Sequence, residues 1–317
     1  MKQSQVAASS DPAAGLGVQS GMILMALAML MLPVGDTFAK LLTGVIAPVE
    51  VTMWRFLAQA LCLVPVAIVL RGRLRGAMFS PIVALSGALI MATLLCLISA
   101  FSVMPIATAI AIFFVEPLIL TLLAGPLLGE RVGPRRLAAV GVGLMGAMIV
   151  IRPGFSDYGP ATLLPLVAAL AYALNMIVLR HACRERSGLT VQCGATVYAA
   201  AGMVVLVGLL GWAGVLEVAP LSRPVWTWGA VLAAGAFAAA SFVLIAEAFR
   251  RAEAGVLAPF QYLEILGATA AGYVVFGDFP DGLTWLGIAV ILGSGGYVFH
   301  RERARAADLP RRRRAPR

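Results

Sequence analysis

Five charged side chains interrupt otherwise apolar runs of this sequence: Asp36, Lys40, Arg55, Glu116 and Glu264. A charge at the centre of a bilayer costs about 2.5–3.5 kcal/mol on insertion scales, so such residues are expected to face a cavity, a partner or a passing molecule. Glu116 and Glu264 form the sharpest pair, each near the middle of an apolar stretch and 148 positions apart. Carboxyls so placed can exchange protons or hold a cationic or hydrogen-bonding group; the alternative is a neutral carboxyl bonded between helices. Asp36 and Lys40 are four residues apart and share a helix face. With Glu50 and Arg55 they can form an ion-pair network, or Lys40 can neutralise the glutamates or meet an anionic group. Glu50 and Glu247 fall near the ends of apolar runs and read as interfacial.

Next to the glutamates stand prolines and aromatics. Pro117 follows Glu116 and Pro259 precedes Glu264. Proline removes a backbone donor and frees a carbonyl one turn back, which makes both positions candidate hinges. Phe113 and Phe260, three and four residues before their glutamates, share the glutamate face of a continuous helix and could stack on a planar ring. Phe114 and Tyr262, two residues before, lie about 200° around such a helix. Trp54 is a further aromatic near this set. No cofactor is expected. The four cysteines form no CxxC, and the two histidines, His181 and His300, sit near run ends, so no metal site follows. His181 with Cys183 is the nearest approach to an enzyme's cluster, and it lacks partners. No GxxxxGK[ST] loop for ATP is present.

The elements that must position these residues are membrane helices. The chain has 317 residues, 61% apolar and 12% charged, with a mean hydropathy of +0.94. Soluble proteins carry about 25% charged residues, and apolar surface can face outward only in lipid. Spans are expected near 21–42, 48–70, 80–99, 105–127, 134–151, 160–180, 190–214, 226–248, 254–276 and 283–300, each long enough to cross a hydrocarbon core. With a cytoplasmic N-terminus, 20 of the 24 lysines and arginines fall inside, Arg152 and Arg223 outside, and Lys40 and Arg55 within spans. That asymmetry predicts both termini inside. Residues 1–20 read as a disordered tail and not as a signal peptide. The net charge of +9 owes much to an arginine-rich tail over 302–317, expected at the anionic inner leaflet rather than on nucleic acid.

Shifted by 148, the sequence meets itself: Phe101 with Phe249, Phe114 with Tyr262, Glu116 with Glu264, Gly129 with Gly277, and Glu130 with Asp278. Five spans per half is an odd number, so the second half enters from the opposite side. The expected fold class is an all-α integral membrane protein of ten transmembrane helices in two inverted five-helix repeats, residues 21–152 and 153–301. Such symmetry suits alternating access, although a duplicated channel or scaffold would share it. Gly143 with Ala147, Gly267 with Ala271, and Ala289 with Gly293 read as helix-packing pairs.

Pro117-Leu118, Leu127-Leu128-Gly129-Glu130, Gly141 and Gly146, with a weaker copy in Gly277-Asp278 and Gly295, resemble the EamA domain of the drug/metabolite transporter superfamily. Pro33-Val34-Gly35-Asp36 departs from the Trp-Gly of many members. Phe113-Phe114 and Glu116 before the proline resemble the branch of bacterial riboflavin and S-adenosylmethionine uptake carriers. The resemblance implies a ten-helix inner-membrane carrier of a small-molecule substrate, with riboflavin uptake the leading expectation. S-adenosylmethionine uptake, amino-acid or metabolite efflux and a non-transporting scaffold are the alternatives. A homodimer is compatible with it.

Overall fold

The computed structural model describes residues 12–128, 134–217, 224–252 and 254–312. They form twelve α-helices: α1 (Pro12–Thr43), α2 (Pro48–Val69), α3 (Pro81–Phe101), α4 (Ile106–Phe113), α5 (Glu116–Leu128), α6 (Pro134–Tyr158), α7 (Leu164–Ala182), α8 (Gly188–Trp212), α9 (Val225–Arg251), α10 (Ala254–Gln261), α11 (Leu263–Phe276) and α12 (Gly282–Arg312). No strand occurs among the described residues. Seven segments are long and apolar enough to cross a membrane, with α4 and the start of α5 counted together. Shorter apolar helices cover Leu137–Ile151, Leu263–Phe276 and Gly282–Tyr297.

Helix boundaries follow local chemistry. Pro48, Pro81 and Pro134 open α2, α3 and α6, where the missing N–H would have no intrahelical acceptor anyway. The Ser187 hydroxyl accepts from the Thr190 N–H to cap α8. Gly277, at φ 73°, ends α11 in the left-handed conformation that glycine adopts without strain. α1 begins at Pro12, inside the stretch expected to be an unstructured tail, and α12 runs on through Arg312. Residues 1–11 and 313–317 of the expected tails, and Gly129 and Glu130 of the repeat motif, lie outside the described residues.

Two expected spans, 105–127 and 254–276, are each broken into two helices. α4 and α10 begin and end 148 positions apart, so the break recurs with the sequence repeat. In the first, Phe114 and Val115 form a turn directly before Glu116-Pro117. Pro117 cannot donate to the Phe113 carbonyl, so the α4 ladder has no continuation. In the second, Tyr262 forms the turn. Periodicity does not reveal such a break, because both sides are equally apolar.

Close backbone approach joins the helices. A Cβ on Gly146 of α6 would stand 2.8 Å from Val290 and 3.1 Å from the Gly287 carbonyl of α12. On Gly235 of α9 it would meet Gln59 N of α2 at 2.6 Å. Gly267 packs on Pro33 of α1, whereas Gly293 faces open space and Ala289 is exposed. The last packing pair of the sequence reading is therefore not at a helix interface among the described residues. Outward faces carry Ile23, Leu61, Ile68, Val205 and Leu209, as lipid requires.

Candidate functional site

The bundle encloses a cavity of about 1200 Å³. Arg73, Arg75, Arg250 and Arg251 line its mouth. Glu247 joins them, pairing with Arg73 at 2.9 Å and Arg251 at 2.8 Å and also with Arg250. The residue that read as interfacial is thus the acidic centre of the mouth. Arg251 also donates to the Ser20 hydroxyl at 3.1 Å, which holds this part of α1 at the mouth.

Deeper in, the cavity is lined by both Glu116 and Glu264. The helix breaks place them there: Glu116 is the first residue of α5 and Glu264 the second of α11. Their carboxyls therefore sit at the positive ends of two half-helices. Glu116 Oε1 is buried with no hydrogen-bond partner among the described residues. Tyr172 of α7 lies within electrostatic reach of both glutamates and packs on Phe113, ring centroids 5.6 Å apart. Pro117, Phe113 and Phe114 also line the cavity. Phe114 meets its repeat counterpart Tyr262 at 5.7 Å. The turn removes the 200° rotation expected of an unbroken helix, which is why both phenylalanines reach the cavity. Phe260 does not; it packs beside Met25 and Leu257. Pro259 falls within α10, and its side chain lies outside the described ones. Trp54 stacks edge-on against Trp228, 5.0 Å away.

The expected four-residue ion-pair network is divided. Arg55 Nη1 donates to Asp36 Oδ1 at 2.7 Å, and both are buried and line the cavity within electrostatic reach of Glu264. Lys40, four residues on, turns away. It donates to Asp278 Oδ2 at 2.8 Å and to the Met104 carbonyl at 3.1 Å, and its ammonium lies 4.6 Å from the Phe276 ring centre. Glu50 is buried near the start of α2.

Several polar groups on the cavity wall lie outside the sequence expectations. Ser86 donates to Asn175 at 2.6 Å, linking α3 to α7. Gln59 reaches Thr196 at 3.5 Å, and the Gln192 amide nitrogen is buried with no partner among the described residues. Uncharged amides inside apolar spans were the available signal. With Tyr172 they give the cavity donors as well as acceptors. No group of three or more His, Cys, Asp and Glu side chains is placed to hold a metal among the described residues.

Known proteins resemble this chain. The model of the EamA-like transporter family matches residues 19–152 and again 159–298. A riboflavin transporter of Rhizobium johnstonii is 31% identical over 209 residues, 66% of this chain and 66% of that protein. One from Vibrio cholerae is 30% identical over 201 residues, 61% of this chain and 62% of that protein. These alignments span just under two thirds of the riboflavin transporters' length. An S-adenosylmethionine uptake transporter of Rickettsia prowazekii is 25% identical over 272 residues, covering 85% of this chain and 89% of that protein. A solved crystal structure, 19% identical, superposes with a TM-score of 0.58 over 94% of this chain and all of its own, so the two share a fold. Two matches to the family model, which together take in the cavity and most of the helices, show that this multi-pass membrane protein belongs to the EamA-like transporter family.

Proposed function

We propose that this chain is an inner-membrane secondary carrier that crosses the bilayer ten times as two inverted five-span repeats, over 21–152 and 153–301, with both termini cytoplasmic. It moves a small metabolite by alternating access, and riboflavin uptake is the leading reading. One observation carries it: a single cavity, open at the arginine-lined end, gathers the repeat-related Glu116 and Glu264 beside Phe113, Phe114 and Tyr172. A planar heteroaromatic ring stacks on the aromatic wall. Its acceptors take hydrogen bonds from Gln59, Gln192 or Tyr172, and its N–H groups donate to the glutamates. Glu116 and Glu264 would then bind substrate or exchange a proton with it, and Pro117 and Pro259 would mark hinges at the helix breaks. Relatives named riboflavin transporter support this substrate.

The test is growth of a bacterial riboflavin auxotroph at low vitamin concentration. Expression of this chain is expected to rescue growth. No rescue, with the protein present in the membrane, rejects riboflavin uptake.

S-adenosylmethionine uptake is the second reading, and the cavity's charge favours it. Among the described residues the cavity's interior is lined by Asp36, Glu116 and Glu264 against one cation, Arg55, which suits a sulfonium cation. Competition between labelled flavin and S-adenosylmethionine in proteoliposomes separates the two.

A further inference from the structure

The end of the cavity remote from the arginines is closed, and the closure is specific. Ser20 of α1 lies beside Arg251 at the open mouth. Lys40 lies 20 residues further along it, about 30 Å at the helical rise. The cavity wall reaches Asp36, Arg55, Leu97 and Ile110 but not Lys40. Lys40 is one turn, about 6 Å, beyond Asp36. There its ammonium gathers three groups: the Asp278 carboxylate after α11, the Met104 carbonyl before α4, and the Phe276 ring that ends α11. Around them Leu42, Ile46, Met104 and Ile106 are buried in one apolar cluster. Asp278 also lies within electrostatic reach of Tyr158, as do Asp157 and Asp281, so Lys40 brings a cation to an acidic rim.

The contact joins the two halves of the chain. Lys40 belongs to the first match of the family model and Asp278 to the second. For the cavity to open at this end, the first and second halves must part here. The side chains of Lys40 and Asp278 retain 15% and 31% of their exposure. Pairs of that kind are weak, and a cation–π contact adds a similar amount. A closure of that strength can hold a resting state and still release thermally. A fully buried pair such as Asp36–Arg55 would be far costlier to break.

We infer that Lys40 and Asp278, with the Met104 carbonyl and Phe276 ring, form the gate that closes the outer end of the carrier in a conformation open at its arginine-lined end. The inference rests on the alternating-access reading above. The two can fail separately, because the test needs no substrate.

Replace Cys62, Cys96, Cys183 and Cys193 with serine, and introduce Ile110→Cys on the cavity wall. Apply a membrane-impermeant maleimide from the Lys40 side. The background protein is expected to label slowly. Lys40→Gln and Asp278→Asn are each expected to label roughly tenfold faster, a shift equivalent to about 1.4 kcal/mol. The double variant should label no faster than either single variant, because both remove one contact. Lys40→Arg, which keeps the charge, should stay protected and controls for folding. Single variants that label at the background rate would overturn the gate, as would rates that multiply in the double variant. A chain that carries neither riboflavin nor S-adenosylmethionine but shows this pattern keeps the gate and loses the substrate reading.

Discussion

Glu116 and Asp36 pose opposite problems at the scale of single residues. Asp36 is fully engaged, bound to Arg55 at 2.7 Å with both side chains buried. Removing one partner strands the other charge. Asp36→Asn is expected to cost about 3–5 kcal/mol of stability, whereas Asp36→Asn with Arg55→Met should recover much of it. Thermal unfolding in detergent measures both. Glu116 has a buried oxygen with no partner among the described residues, which in a folded protein costs about 1–3 kcal/mol unless a ligand or proton relieves it. Glu116→Gln should therefore leave stability unchanged or higher while lowering transport about tenfold or more, the effect of losing one contact of about 1.4 kcal/mol. Glu264→Gln is expected to do the same. Transport in proteoliposomes unchanged by both substitutions would remove the paired-carboxylate role.

Among the elements, α6 and α12 depend on an approach that only glycine allows. Gly146→Leu would drive a side chain into Val290 and the Gly287 carbonyl and is expected to cost about 1–3 kcal/mol by overpacking. Gly293→Leu, which faces open space, should be silent in the same thermal assay. The start of α12 has its own determinant. The Thr284 N–H donates to Asp281 Oδ1 at 2.8 Å, and the Thr284 side chain, followed by that backbone bond, holds the Asp281 carboxyl below its ordinary range. A depressed folded-state pKa contributes stability that is present above the unfolded value and is lost as pH falls through the folded one. Asp281→Ala should therefore cost about 1 kcal/mol at neutral pH and progressively less below about pH 4, where the unfolded carboxyl protonates. A difference that does not shrink at all as the pH is lowered from 4 would rule out the carboxylate cap.

For the whole molecule, the decisive quantity is the side on which each end lies. With the proposed ten-span topology, the arginines at the cavity mouth fall on the side that takes 20 of the 22 lysines and arginines outside the spans, which is the cytoplasmic side under the positive-inside rule. A fluorescent protein fused after Arg317 should therefore fluoresce, and alkaline phosphatase fused at the same point should be inactive. Active phosphatase would reverse the carrier in the membrane and place the Lys40–Asp278 pair on the cytoplasmic side.

What the sequence determined by itself was whatever depends on solvent and on counting. Apolar runs of fixed length specify helices because a bilayer leaves backbone groups no other partners. A 148-residue shift paired Glu116 with Glu264 without any coordinates. The EamA resemblance, which the family model's two matches bear out, was carried by local motifs. Tertiary structure decided what depends on which helices meet. Lys40 shares a face with Asp36 in sequence, yet a carboxylate 238 positions away captures it, because one turn of helix separates the cavity wall from its closed end. Phe113 and Phe260 were equal candidates by spacing; only the first lines the cavity, since the two helix breaks turn their phenylalanines against different neighbours. The amides of Asn175 and Gln192 stood out in the sequence as polar groups in apolar helices, but one polar group, like the ring hydroxyl of Tyr172, does not reveal whether its face meets lipid, protein or a cavity.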